Sequence, residues 1–149
     1  MGASCRQCAL RFLKIRPRSV AELKSKLEIK GFEAQEISQT LQWLQGLRLL
    51  DDRAFTKSWI QYRLARPFGF RRIILELKTK GVAPDIIEEE IGHFKEDVDE
   101  GKTALEIASR RWKKFQGVEP TKKKKRICDF LLRRGFAPDV VMKVIKKLC

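Results

Sequence analysis

The chain repeats one helical layout three times, each copy centred on a glycine: Gly31, Gly81 and Gly135. Eight residues before the glycine stands Leu23, Ile73 or Ile127, and four before it Leu27, Leu77 or Leu131. Phe32, Val82 or Phe136 follows at once. Ile37, Ile87 or Val141 sits six residues past the glycine, Leu41, Ile91 or Ile145 ten past, and Leu44, Phe94 or Leu148 thirteen past. Apolar residues at these offsets describe two amphipathic helices meeting at a glycine. Their recurrence about every fifty residues describes a helical repeat protein, whose copies bury their apolar faces by stacking.

A further amphipathic stripe precedes each pair: Ala9, Phe12, Leu13 and Arg16, then Phe55, Trp59 and Tyr62, then Ala104, Ala108, Trp112 and Phe115. Aromatic stripes of this kind ordinarily pack a core, although the same pattern also serves as a base-stacking platform. The expected fold is therefore all-α: three tandem three-helix, helix-turn-helix-like repeats in a curved, elongated array. The expected boundaries are 1–49, 50–98 and 99–149.

Helix ends are written into the residues. A helix ending at Lys30, Lys80 or Arg134 puts the next glycine in the left-handed cap position and brings Leu27, Leu77 or Leu131 against Phe32, Val82 or Phe136, which is the Schellman arrangement. The cation before each glycine suits the negative end of the helix dipole. Pro84-Asp85 and Pro138-Asp139 restart helices with proline first and an acid in the first turn, and Gln35-Glu36 is a weaker version. Ser19 with Glu22 reads as a capping box. Residues 47–52 form a short connection in which Asp51 or Asp52 caps the next helix. Residues 95–101 are a charged connector, read as either a helix extension or a flexible joint. Lysines 122–125 fit a solvated helix start or a contact with phosphates, and the pattern alone does not separate the two.

Thirty-three Lys and Arg against nineteen Asp and Glu give a net charge of +14, which favours a polyanionic partner. Residues 1–50 carry +5, 51–100 carry −2 and 101–149 carry +11. The middle stretch is itself split, with Arg53, Lys57, Arg63, Arg66, Arg71, Arg72, Lys78 and Lys80 ahead of an acidic run that includes Glu88, Glu89 and Glu90. Such a chain can present opposite fields to two partners.

A hydrophobic content of 43% suits a buried core, and no apolar run approaches a spanning length. The first residues resemble a myristoylation site, but Arg6 stands where Ser or Thr is wanted, and no signal-peptide core follows. We expect a cytoplasmic monomer. Cys5 and Cys8 form a CxxC, yet Cys128 and Cys149 lie twenty-one positions apart and the single histidine, His93, sits in an acidic stretch, so free thiols are expected and no metal.

Enzyme signatures are missing from the sequence. It has no phosphate-binding glycine loop, no GxSxG and no HExxH, and neighbouring carboxylates such as Asp51-Asp52 or Glu88 to Glu90 diverge around a helix rather than converging on a substrate. A non-enzymatic protein without catalytic residues or cofactor is expected. Sequence-specific groove reading is disfavoured, because the third helix of the middle repeat is a row of glutamates where phosphates would lie.

From Leu50 to Gly81 the chain resembles the RecX regulatory proteins, bacterial modulators of the RecA recombinase. Leu50-Asp51-Asp52, Phe55, Trp59, Arg63, Gly69, Ile73, Leu77 and Gly81 carry the likeness. Arg16 to Ser19 with Glu22, Leu23 and Leu27 resembles the family's opening repeat, and Phe130-Leu131, Arg133 to Phe136 and Asp139 its closing one. Thr56 departs from the family's usual alanine, and the short amino terminus leaves no room for an added basic arm. The resemblance implies binding within the groove of the RecA filament on single- or double-stranded DNA, with suppression of strand exchange and ATP hydrolysis. An array of roughly 60 Å would bridge neighbouring protomers.

The candidate partner- or DNA-binding residues are Arg63, Arg66, Arg71, Arg72, Lys78, Lys80, Arg133 and Arg134, with Glu88 to Glu90 facing basic recombinase loops. Arg63 has a structural alternative, an ion pair with Asp51 or Asp52. Asp51, Asp52, Phe55, Trp59, Gly31, Gly81 and Gly135 are the motif residues. The competing reading is a basic helical-repeat nucleic-acid-binding protein that acts without a recombinase, and a third is a scaffold controlled through Cys5 and Cys8.

Overall fold

Nine helices succeed one another in the computed structural model, which describes residues 2–148: α1 (Cys5–Ile15), α2 (Val20–Ile29), α3 (Ala34–Gly46), α4 (Asp52–Leu64), α5 (Phe70–Thr79), α6 (Pro84–Asp97), α7 (Glu100–Lys114), α8 (Pro120–Arg133) and α9 (Pro138–Leu148). No strand occurs among the described residues. Cys149 lies outside them.

The three glycines stop their helices as expected. Gly31, Gly81 and Gly135 have φ of 90°, 78° and 93°. Phe32, Val82 and Phe136 each donate a backbone hydrogen bond to Leu27, Leu77 and Leu131, at 3.4, 3.2 and 3.1 Å, and the glycine amides bond one residue further along. That is the paired bond of a Schellman cap, made three times. Every apolar position of the repeat is buried except Phe32, Phe94, Ile145 and Leu148, which are half-buried.

A fourth cap of the same kind has no glycine. Arg48 takes φ 59°, its amide bonds the Gln45 carbonyl at 3.0 Å, and Leu49 bonds the Leu44 carbonyl at 2.9 Å. An L-residue there pays for its Cβ, so Arg48→Gly is expected to stabilise the chain by up to about 1 kcal/mol, less the entropy glycine adds to the unfolded state. A urea melt measures it, and an unchanged midpoint means the two terms cancel.

Helix starts match their residues as well. Ser19 accepts a bond from the Glu22 amide at 3.1 Å while the Glu22 carboxylate accepts from the Ser19 amide at 3.2 Å, completing the capping box. Ser4 and Gln7 make a second box at α1. Asp51 caps α4 through the Arg53 and Ala54 amides, at 2.9 and 3.2 Å. The charged connector resolves into two parts: α6 runs on to Asp97, and Asp99 caps α7. The lysine run occupies the first two turns of α8.

Two compact units divide the chain, Met1–Ser58 with Leu77–Glu90 and Trp59–Glu76 with Ile91–Cys149. In the first, α1, α2 and α3 enclose Ala9, Leu23, Leu27, Ile37 and Leu44. In the second, α7, α8 and α9 enclose Ala104, Ala108, Ile127, Leu131 and Phe136. Buried Thr56 satisfies its hydroxyl by donating to the Asp52 carbonyl at 2.7 Å. Tyr62 departs from its expected place in a core stripe: it is 46% exposed.

Candidate partner-binding surface and its joints

Each compact unit contains one joint, and the two follow one plan. In the first unit the start of α2 meets the glycine-capped end of α5. The Ser19 hydroxyl donates to the Lys80 carbonyl at 2.5 Å, and the Val20 amide donates to the Asp52 carboxylate at 2.8 Å. A Cβ at Gly81 would overlap that of Ala21. In the second unit the start of α5 meets the glycine-capped end of α8. The Gly69 and Arg71 amides donate to the Arg134 and Gly135 carbonyls at 2.7 and 3.1 Å, and the Phe70 amide donates to the Glu100 carboxylate at 2.6 Å. Donors at a helix start and acceptors at a helix end are the orphan groups that a helix leaves unpaired, and each joint pairs them with one another.

The first residue of α4 (Asp52) and of α7 (Glu100) therefore plays one role, capping a helix elsewhere in the chain. Burial pushes both carboxyls above the ordinary range, and the Val20 and Phe70 amides only partly offset it. Glu22 goes the other way. Burial would raise it, but bonds from Arg16 and Ser19 and the charges of Lys80 and Arg16 outweigh that and hold it below 4.5. A depressed carboxyl contributes stability above its unfolded pKa and loses it as pH falls through the folded value. Glu22→Gln is thus expected to cost about 1 kcal/mol at neutral pH, with the difference from the natural chain closing below pH 4.5. Urea melts across that range check it.

The arginines of the second unit gather on aromatic rings. Three guanidinium groups surround Phe68: Arg63 at 4.7 Å, Arg72 at 4.8 Å and Arg134 at 4.7 Å from the ring centroid. Arg66 lies over Tyr62 at 4.5 Å and Arg111 over Phe130 at 3.8 Å. Among the described residues Glu76 is the carboxylate paired with them: it accepts from Arg63 at 2.5 Å and from the Trp59 indole at 3.4 Å, and forms an ion pair with Arg72 at 3.8 Å. Burial lowers the Arg134 pKa, and the neighbouring charges of Arg111 and Arg72 lower it further.

These contacts sort the candidate residues. Arg63 pairs with Glu76, in place of the Asp51 or Asp52 partner weighed from sequence. Arg72 donates to the Arg133 carbonyl at 3.1 Å and Arg134 to the Arg66 carbonyl at 3.0 Å, so both fasten the second joint. Lys80 reaches Glu22 at 3.4 Å in the first. The side chains of Arg66, Arg71, Lys78 and Arg133 are exposed. Asp51 is a helix cap, Phe55 is buried, and Trp59 is half-buried beside Glu76.

Glu89 and Glu90 both bind Arg53, at 2.8 and 2.9 Å, and Glu90 is buried, so of that acidic run they are already engaged. Cys5, Cys8 and Cys128 are free thiols, and no metal-holding group of His, Cys, Asp or Glu occurs among the described residues. No described helix is long and apolar enough to cross a membrane. Sequence reasoning missed Glu100, Phe68 and Arg111. Glu100 had one usable signal, its place at the start of α7 matching that of Asp52 at the start of α4.

Fold and surface together define an all-helical protein of tandem three-helix repeats, joined end to start and strongly basic on one unit. The three domains of RecX match in order: the first three-helix domain at residues 5–44, the second at 51–90 and the third at 99–145. The chain belongs to the RecX family of regulatory proteins. It is 35% identical to the Regulatory protein RecX of Legionella pneumophila (strain Corby), over 94% of this chain and 91% of that one. It is 34% identical to that of Chlorobaculum tepidum, over 93% and 84%. The crystal structure of RecX from Lactobacillus salivarius shares the fold, with a TM-score of 0.83 at 22% identity over 97% of this chain and 94% of that one.

Proposed function

We propose that this chain binds the RecA recombinase filament and restrains its strand exchange and ATP hydrolysis, as a cytoplasmic monomer with no catalysis of its own. The observation that carries the reading is the cluster of three guanidinium groups around Phe68, with Glu76 as their carboxylate partner among the described residues, in a chain of this regulatory family. Crowding of this kind is relieved by an anionic partner, either acidic filament surface or DNA phosphate. Arg66, Arg71, Lys78 and Arg133 are the side chains that reach the partner, while Arg72, Lys80 and Arg134 hold the joints and Arg63 is held by Glu76.

Arg71→Glu with Arg133→Glu is expected to lower inhibition of filament ATPase at substoichiometric protein by at least about tenfold, with helicity unchanged. Unaltered inhibition by a folded double variant removes both residues from the interface. The net charge of +14 favours a second reading, binding of nucleic acid without a recombinase. A salt titration of DNA binding alone, beside the ATPase assay, separates them: tight DNA binding with no effect on filaments supports the second.

A further inference from the structure

The glycine-capped end of α2 is the third copy of a surface that is covered in the other two. At α5 the cap receives Ser19 and Ala21 from the start of α2, and at α8 it receives Gly69 and Arg72 around the start of α5. At α2 it is bare. A Cβ on Gly31 would meet nothing within 4 Å, Lys30 is exposed, and among the described residues no hydrogen bond reaches the Lys30 or Gly31 carbonyl. Beside it Ile29 is 79% exposed, where the matching positions carry Thr79 and Arg133.

We propose that the bare cap of α2 is a docking site for the N-terminus of a helix supplied by the recombinase filament. The proposal rests on the functional reading above and adds where the filament is held and by what chemistry. The chain itself displays the occupant twice: a helix start preceded by a small residue, Ser19 or Gly69, whose donor faces a carbonyl at the cap. The cation before the glycine sharpens the match. Lys30 corresponds to Lys80, whose ammonium reaches Glu22, three residues past its small capping residue. The filament helix should therefore carry a small cap residue, an acid three positions on, and an apolar neighbour for Ile29.

A second copy of this chain does not fit. The corresponding helix, α8, is four residues longer than α2 or α5. Its added turn leads into the Lys122–Lys125 run, which would face Lys30 and repel it.

The test places p-benzoylphenylalanine at Ile29 of the full chain, and separately at Arg71, and irradiates each with RecA filaments on single-stranded DNA. The proposal expects a recombinase adduct from position 29 that maps to the first turn of a helix, and a loss of about fivefold in yield with Lys30→Glu. It is overturned by no adduct, an adduct to a strand or loop, or an adduct to a second copy. If position 71 still crosslinks in that case, the functional reading stands without this site. Silence from both positions removes the two together.

Discussion

Gly135→Ala is expected to be among the most destabilising single substitutions in this chain. Its left-handed φ of 93° costs an L-residue about 1–2 kcal/mol, and the new Cβ would land on the backbone of Arg72, which cannot rotate away. Overpacking of that kind adds about 1–3 kcal/mol. The sum is a large share of the roughly 5–15 kcal/mol that stabilises a typical domain. Gly31 has the same backbone setting with open space around it, so Gly31→Ala should cost only the conformational part, about 1–2 kcal/mol. Gly81→Ala falls between, because it meets the single methyl of Ala21. Urea melts of the three variants give the ranking. Equal costs at all three sites would mean the joints contribute nothing beyond the caps.

Removing the acid beneath the arginines should be comparably severe. Glu76→Ala leaves Arg63, Arg72 and Arg134 around Phe68 without the carboxylate that bonds the first two, and breaking a largely buried pair from one side costs about 3–5 kcal/mol. The side chains of Arg63 and Glu76 keep 19% and 18% exposure, which places the expected loss toward 3 kcal/mol. Arg63→Met should cost less, since Glu76 keeps Arg72 and the Trp59 indole, and methionine still packs on Phe68. Sulfate or phosphate should recover part of the Glu76→Ala loss by supplying the missing negative charge. A loss insensitive to these anions would point to packing, and the arginine cluster would no longer count as a reservoir of unbalanced charge.

Much of the fold was legible because it is local. A glycine four residues after a leucine, with an apolar residue next, specifies a Schellman cap within six residues, and Ser19 with Glu22 specifies a capping box within four. Arg48 shows the limit of that reading: its left-handed turn is the same cap without its usual residue, so no sequence signal marked it. The joints were hidden for a different reason. Phe70 bonds Glu100 and Gly69 bonds Arg134 across 30 and 65 positions, and the place of Glu100 at a helix start marks a cap without saying which distant helix it serves. Charge runs have the same ambiguity. Arg63 in the last turn of α4 and Arg66 just past its end are three residues apart, yet one is held by Glu76 and the other has its side chain exposed. Composition announced a cationic surface, and only the packing of Phe68 and Tyr62 decides which cations are available to a partner.

Amide hydrogen exchange at Val20, Gly69, Phe70 and Arg71 is the most direct measurement. These groups sit at helix starts, where amides ordinarily face water and exchange quickly. Here each donates to a group brought from elsewhere in the chain, so the account predicts protection comparable to the core amides of Leu27 and Leu131. Exchange at the rate of a frayed helix end would contradict it.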